Sequence, residues 1–188
     1  MVDSGFVLEG DLKMPFYVMP LYEASLRQVL TDNDSGSNRL VLYSEMLNAV
    51  EAAHFRSVWH RDIKPENFLC DSTGANIVLA DFGIAHFEES ELHTAVETKH
   101  AARLANFQYA APEQRQKGGN VDQRSDIYAM GLLLNELFTG EVPQGTGFKR
   151  IAESNEAYAY LDDLVDQMIR QNPADSCLLY TSPSPRDS

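Results

Sequence analysis

The chain has 188 residues, enough for one domain with its own core, and its 44% apolar and 23% charged residues are ordinary for a globular protein. Its formal net charge of −13 repels phosphate backbones and argues against nucleic acid as a main partner, while serving solubility or attracting basic peptides. No run of about 18 apolar residues is present, so no membrane span is expected in this segment.

Met1 to Lys13 carries Asp3, Glu9 and Asp11 and no basic stretch, so it does not read as a secretion signal. Phe16-Tyr17-Val18-Met19 is aromatic and β-branched and is stopped by Pro20, which predicts a strand. A short helix is predicted over Leu21 to Leu30, closed by the loop cluster from Thr31 to Gly36. Leu40, Tyr43, Met46, Leu47, Val50 and His54 share one face of a predicted helix from Leu40 to Phe55. Ile77 to Ala80 is a short apolar run between Gly74 and Gly83, a predicted buried strand. Asp126 to Leu137 is apolar almost all round, and such a helix belongs in the middle of a domain. Leu161, Leu164, Val165, Met168 and Ile169 mark a last amphipathic helix.

The pattern breaks at the end. Cys177 to Asp187 reads as the frame translation of a sequencing-library adapter rather than as a native Pro/Ser-rich tail, so 176–188 is expected to lie outside the fold. That leaves Cys70 as the native cysteine. Cys70 and Cys177 fit no metal spacing, and a reducing, cytoplasmic setting is the default. His54, His86, His93 and His100 share no metal spacing and read as ordinary residues.

The chemistry-bearing run is His60-Arg61-Asp62-Ile63-Lys64-Pro65-Glu66-Asn67, with a carboxylate, an ammonium and an amide within six residues. Phosphoryl transfer needs those three: a group that orients the attacking hydroxyl, a positive charge for the phosphoryl group, and an oxygen ligand for Mg²⁺. Asp81-Phe82-Gly83 follows behind the predicted strand, Ala111-Pro112-Glu113 comes later, and Asp126 opens the apolar helix. Each triplet alone is weak. Four in this order, each in its expected context, resemble the catalytic apparatus of protein kinases over Phe16 to about Asp175.

The resemblance implies an α+β, mainly α, protein-kinase-like fold. Residues 1–22 would be the end of the small lobe and the hinge, 23–175 the large C-terminal lobe, and 176–188 the adapter-derived tail. By resemblance, Asp62 is the catalytic base and Lys64 steadies the γ-phosphate of ATP. Asn67 and Asp81 are the Mg²⁺ ligands. Met19, Pro20, Tyr22 and Leu69 meet adenine: Met19 at the back, Pro20 and Tyr22 through hinge backbone, Leu69 as floor. Arg61 would pair with a phosphorylated segment, with Thr94 and Thr98 as candidate sites. Asp126 would hold the backbone around His60 and Arg61. Asp-Ile-Lys-Pro-Glu-Asn favours Ser or Thr as acceptor in a protein or peptide substrate, and Glu66 either favours basic residues before that acceptor or is a solvated surface charge.

Three departures stand out. Nothing before Phe16 supplies a Gly-rich loop, the strand lysine or its glutamate partner, so most of the small lobe is expected to be missing and the fragment alone inactive. Asn106 stands where the family usually has threonine. Ser176 stands where an arginine usually pairs with the glutamate corresponding to Glu113. Two other classes remain in view: a catalytically inactive kinase-like binding module, against which Asp62, Lys64, Asn67 and Asp81 speak, and a kinase-like small-molecule phosphotransferase, against which the Ala-Pro-Glu and Lys-Pro-Glu-Asn runs speak. The oligomeric state is not legible.

Overall fold

In a computed structural model the described residues are 3–10, 12–32, 38–71, 76–82, 108–116 and 121–170. Strands β1 (Asp3–Glu9) and β2 (Leu12–Val18) form an antiparallel hairpin, with Gly5 opposite Phe16 and Glu9 opposite Leu12. Gly10, with φ of 62°, takes the left-handed conformation that a two-residue hairpin loop demands. The predicted strand over Phe16 to Met19 is therefore longer at its start and ends at Val18. The polar Asp3, Ser4 and Glu9 hid β1, whose ladder is made by backbone pairing rather than by apolar alternation.

The predicted helix over Leu21 to Leu30 is also corrected. Ala24–Ser25 is a short strand, β3, and helix α1 runs Leu26–Asp32. Ala24 and Ser25 are drawn into a three-stranded sheet by β4 (Phe68–Cys70), which also pairs with β5 (Val78–Leu79). A long-range ladder here overrides local helical tendency.

Helix α2 (Arg39–His54) starts on Asn38, whose side chain accepts from the backbone N–H of Leu40 and Val41. It buries Leu42, Tyr43, Met46, Val50, Ala53 and His54, close to the predicted face. Helix α3 (Gln123–Thr139) is capped by Asp122 at its start and by left-handed Gly140 at its end. From Ser125 to Thr139 every residue is buried, as the all-round apolar pattern implied. Helices α4 (Ile151–Ser154) and α5 (Leu161–Met168) close the domain, with α5 packed on α3.

Contact between α3 and α5 depends on Gly131. A β-carbon there would lie 2.6 Å from Met168 Cβ and 2.8 Å from Ile169 Cγ2. Alanine raises helix propensity by about 1 kcal/mol, yet overpacking a core typically costs about 1–3 kcal/mol. We expect Gly131→Ala to lower the melting temperature by several degrees; a calorimetric scan showing a rise would mean that α5 yields freely. The predicted tail over 176–188 lies outside the described residues.

Candidate active site

Asp126, at the start of α3, is 1% exposed and accepts three hydrogen bonds. Its Oδ1 takes the backbone N–H of Arg61 at 2.7 Å; its Oδ2 takes that of His60 at 2.8 Å and His54 Nε2 at 2.8 Å. A carboxylate only accepts, so His54 carries its proton on Nε2. His54 thus has a structural role that its lack of metal spacing concealed; Trp59 packs edge-on against it at 5.3 Å. The other three histidines singled out lie outside the described residues.

This anchor sets the loop that follows. Arg61 takes a φ of 65°, a left-handed conformation unusual for a long side chain. The ring of His60 joins two segments: its Nε2 donates to the carbonyl of Ala80 at 2.8 Å, and its Nδ1 accepts from the N–H of Asp62 at 3.3 Å. Phe82 stacks on His60 with ring centres 4.8 Å apart.

The predicted residues come together here. Lys64 Nζ lies 2.8 Å from Asp62 Oδ2. The Asn67 amide nitrogen donates to the Asp62 carbonyl at 2.7 Å and to its Oδ2 at 3.1 Å. Those two bonds orient the amide and leave Asn67 Oδ1 as the acceptor for another group. Asp81 follows directly on Ala80, whose N–H donates to the carbonyl of Asn67 at 2.8 Å, so Asn67 and Asp81 stand on adjoining segments. Asp81 is exposed and takes a φ of 55°. Asn67 Oδ1 and the exposed Asp81 carboxylate are hard oxygen donors of the kind that suits Mg²⁺, which keeps waters and substrate phosphates in its shell instead of a full protein cage.

Leu69 is half-buried and pairs with Ser25, which ties the strand after the loop to the segment from Met19 to Tyr22. Met19 and Tyr22 are half-buried and Pro20 is exposed. They lie shortly before β3, which that pairing sets beside Leu69.

Sequence reasoning missed a polar cluster beside Asp62. Arg27 on α1 bonds Glu66 Oε1 through Nε at 2.8 Å and Glu136 Oε1 through Nη1 at 2.5 Å, and donates from Nη2 to the Tyr109 hydroxyl at 2.7 Å. Tyr109 in turn donates to Glu136 Oε2 at 2.6 Å. Burial works against the Arg27 charge, but its hydrogen bonds to Glu136 and Glu66 outweigh burial and raise its pKa. Burial and the Glu136 carboxylate push the Tyr109 phenol up. The readable signal was Glu136 itself, a carboxylate in a helix apolar all round, which requires a buried partner.

Ala111-Pro112-Glu113 also docks on the loop. Pro112 opens a short 3₁₀ turn, and Gln114 donates to the Arg61 carbonyl at 2.6 Å. Glu113 accepts from the Ser125 hydroxyl at 2.7 Å, and among the described residues no guanidinium pairs with it. Ser176, Asn106, Thr94 and Thr98 lie outside the described residues. Arg61 Nε is buried with no partner among the described residues.

The family profile described as protein kinase domain matches residues 15–177. The chain belongs to the protein kinase family. Among curated relatives it is 37% identical over 131 residues to the serine/threonine-protein kinase PrkC of Bacillus subtilis, covering 68% of this chain and 19% of that protein. It is 34% identical over 182 residues to the serine/threonine-protein kinase PknL of Mycobacterium tuberculosis, covering 88% and 44%. The solved kinase domain of M. tuberculosis PknI superposes with a TM-score of 0.61 at 26% identity, over 88% of this chain and 60% of that one. This kinase chain therefore spans between about a fifth and 44% of the length of these curated relatives. Among the described residues no helix is long and apolar enough to cross a membrane.

Proposed function

We propose that the chain is the large-lobe part of a kinase that moves the γ-phosphoryl group of ATP onto a Ser or Thr hydroxyl of a protein substrate. The observation that carries this reading is the Asp62 carboxylate, only half-buried, held by Lys64 and Asn67 beside Asp81. Asp62 orients the hydroxyl and takes its proton as the new O–P bond forms and the bond from the γ-phosphorus to the β-bridging oxygen breaks. Lys64, 2.8 Å from Asp62, balances charge on the phosphoryl oxygens. Asn67 Oδ1 and Asp81 would hold Mg²⁺, which neutralises the phosphate charge when bound.

Met19, Pro20, Tyr22 and Leu69 would take the adenine, with Leu69 under the ring. Residues 1–22 would end the small lobe and 23–175 make up the large one, while 176–188 would be foreign to the fold. The buried free thiol of Cys70 supports a reducing, cytoplasmic setting.

Two substitutions separate the roles. Asp81→Asn removes a charged Mg²⁺ ligand and should weaken Mg²⁺-dependent ATP binding by about tenfold or more. Asp62→Asn should leave that binding within about twofold, because Asp62 acts on the acceptor. Calorimetric titration with and without Mg²⁺ on the kinase domain reads both; equal losses in the two variants would rule the division of labour out.

A further inference from the structure

We propose that Gln114 is a positioning residue: its amide ties the Ala-Pro-Glu segment to the peptide group between Arg61 and Asp62 and so holds the Asp62 carboxylate in place. The inference rests on the kinase reading above, in which Asp62 takes the proton of the acceptor hydroxyl.

Gln114 sits in the 3₁₀ turn Pro112–Arg115 and is half-buried. Its Oε1 accepts from the backbone N–H of Ala111 at 2.9 Å, and its Nε2 donates to the carbonyl of Arg61 at 2.6 Å. One neighbour needs an oxygen and the other an N–H, so a single orientation of the amide satisfies both. The turn itself is anchored. Ala111 is 0% exposed, and Glu113 accepts from the hydroxyl of Ser125 in α3 at 2.7 Å. Gln114 therefore reaches the loop from a base fixed on the central helix.

The place of that bond gives it its effect. The Arg61 carbonyl and the Asp62 N–H belong to one planar peptide group. That N–H donates to His60 Nδ1 at 3.3 Å, a longer contact from two residues away, whereas Gln114 lies 53 residues away in sequence. On the other side of Arg61, its own N–H is held by Asp126 at 2.7 Å. With its N–H and its carbonyl both held from outside the loop, Arg61 is fixed in φ and ψ, including the left-handed φ of 65° that a long side chain disfavours. Those angles aim the next Cα–Cβ bond, which is that of Asp62. Lys64 and Asn67 then settle the carboxylate, but both belong to the same loop and move with it. A cavity of about 20 Å³ beside Arg61, Asp62, Tyr109 and Gln114 has room for about one water. A small replacement side chain would let water take the place of the amide, and methionine, close in length, would not.

The test measures peptide phosphorylation by a full kinase domain carrying these residues, with Gln114→Met and Gln114→Glu, each alone and combined with Asp62→Asn. Methionine removes both bonds. Glutamate keeps the bond from the Ala111 N–H but, ionised at pH 8, cannot donate to Arg61. A misplaced base costs rate rather than nucleotide binding, so both variants should lose about 10–10²-fold in kcat with KM for ATP within about twofold. In the Asp62→Asn background the same substitutions should cost less than about threefold, because the group they misplace is gone. Thermal unfolding shows whether each variant is folded at the assay temperature; if Gln114→Met is not, the glutamate cycle decides. Wild-type kcat in the folded glutamate variant overturns the proposal, since the Arg61 bond is then dispensable. So does an equal loss in both backgrounds, or a loss confined to KM for ATP. Those results with Asp62→Asn still impaired leave the kinase reading standing. An unimpaired Asp62→Asn domain removes that reading, and the role of Gln114 with it.

Discussion

Asp62→Asn should lower peptide phosphorylation by about 10²–10⁴-fold, the usual contribution of a positioned general base. The amide is nearly the same size and can still accept from Asn67 Nδ2 and Lys64 Nζ, which now lie 3.1 and 2.8 Å from the carboxylate oxygen. Loop geometry should therefore survive, and the loss falls on kcat with little change in KM for ATP. The measurement belongs on a full kinase domain carrying these residues, because the chain spans about 60% of the solved domains it resembles. The phosphates also need groups that this stretch does not contribute, and their alignment makes up a large part of the rate. We expect negligible transfer by the 188-residue chain alone and recovery when a compatible small lobe is joined ahead of Phe16. An undiminished rate in the Asp62→Asn domain would refute the assigned mechanism.

The second large effect is on stability. Asp126→Ala should cost about 3–5 kcal/mol, the range for removing one partner of a buried charged network. Three donors lose their acceptor at once: the N–H groups of His60 and Arg61 and the His54 ring. Each is buried or nearly so, and an unmet buried donor costs about 1–3 kcal/mol. For a domain of this size the melting temperature should drop on the order of 10 °C. Asp126→Asn should fall between, because one amide oxygen can serve Oδ2's two donors while its NH₂ faces the Arg61 N–H. The discriminating measurement is thermal unfolding of the three proteins side by side. A shift below about 2 °C in the alanine variant would show that the loop holds its left-handed Arg61 without this anchor.

Much of the fold and of the candidate site was legible before any coordinates. The all-round apolar run fixed α3 as the central helix, and the face from Tyr43 to His54 fixed α2, because burial imposes its period directly on residue type. Asp62, Lys64 and Asn67 could be named because they lie within one short loop, where spacing in sequence nearly equals spacing in space. Asp81 could be named through the resemblance, since Asp81-Phe82-Gly83 stands in order after the loop and behind a short strand, β5.

Tertiary structure alone decided what depends on distant segments meeting. Ala24 and Ser25 became a strand because β4 lies beside them, and no local pattern could show it. His54 looked ordinary until the fold set Asp126, 72 residues away, to accept a hydrogen bond from its ring. Arg27 and Glu136 are 109 residues apart, so although Glu136 in an apolar helix calls for a buried partner, nothing local names Arg27 as that partner. The acidic sequence set only a general preference for cations. Which cation meets the buried Glu136 carboxylate was decided by the fold, which brings Arg27 of α1 within hydrogen-bonding reach of it.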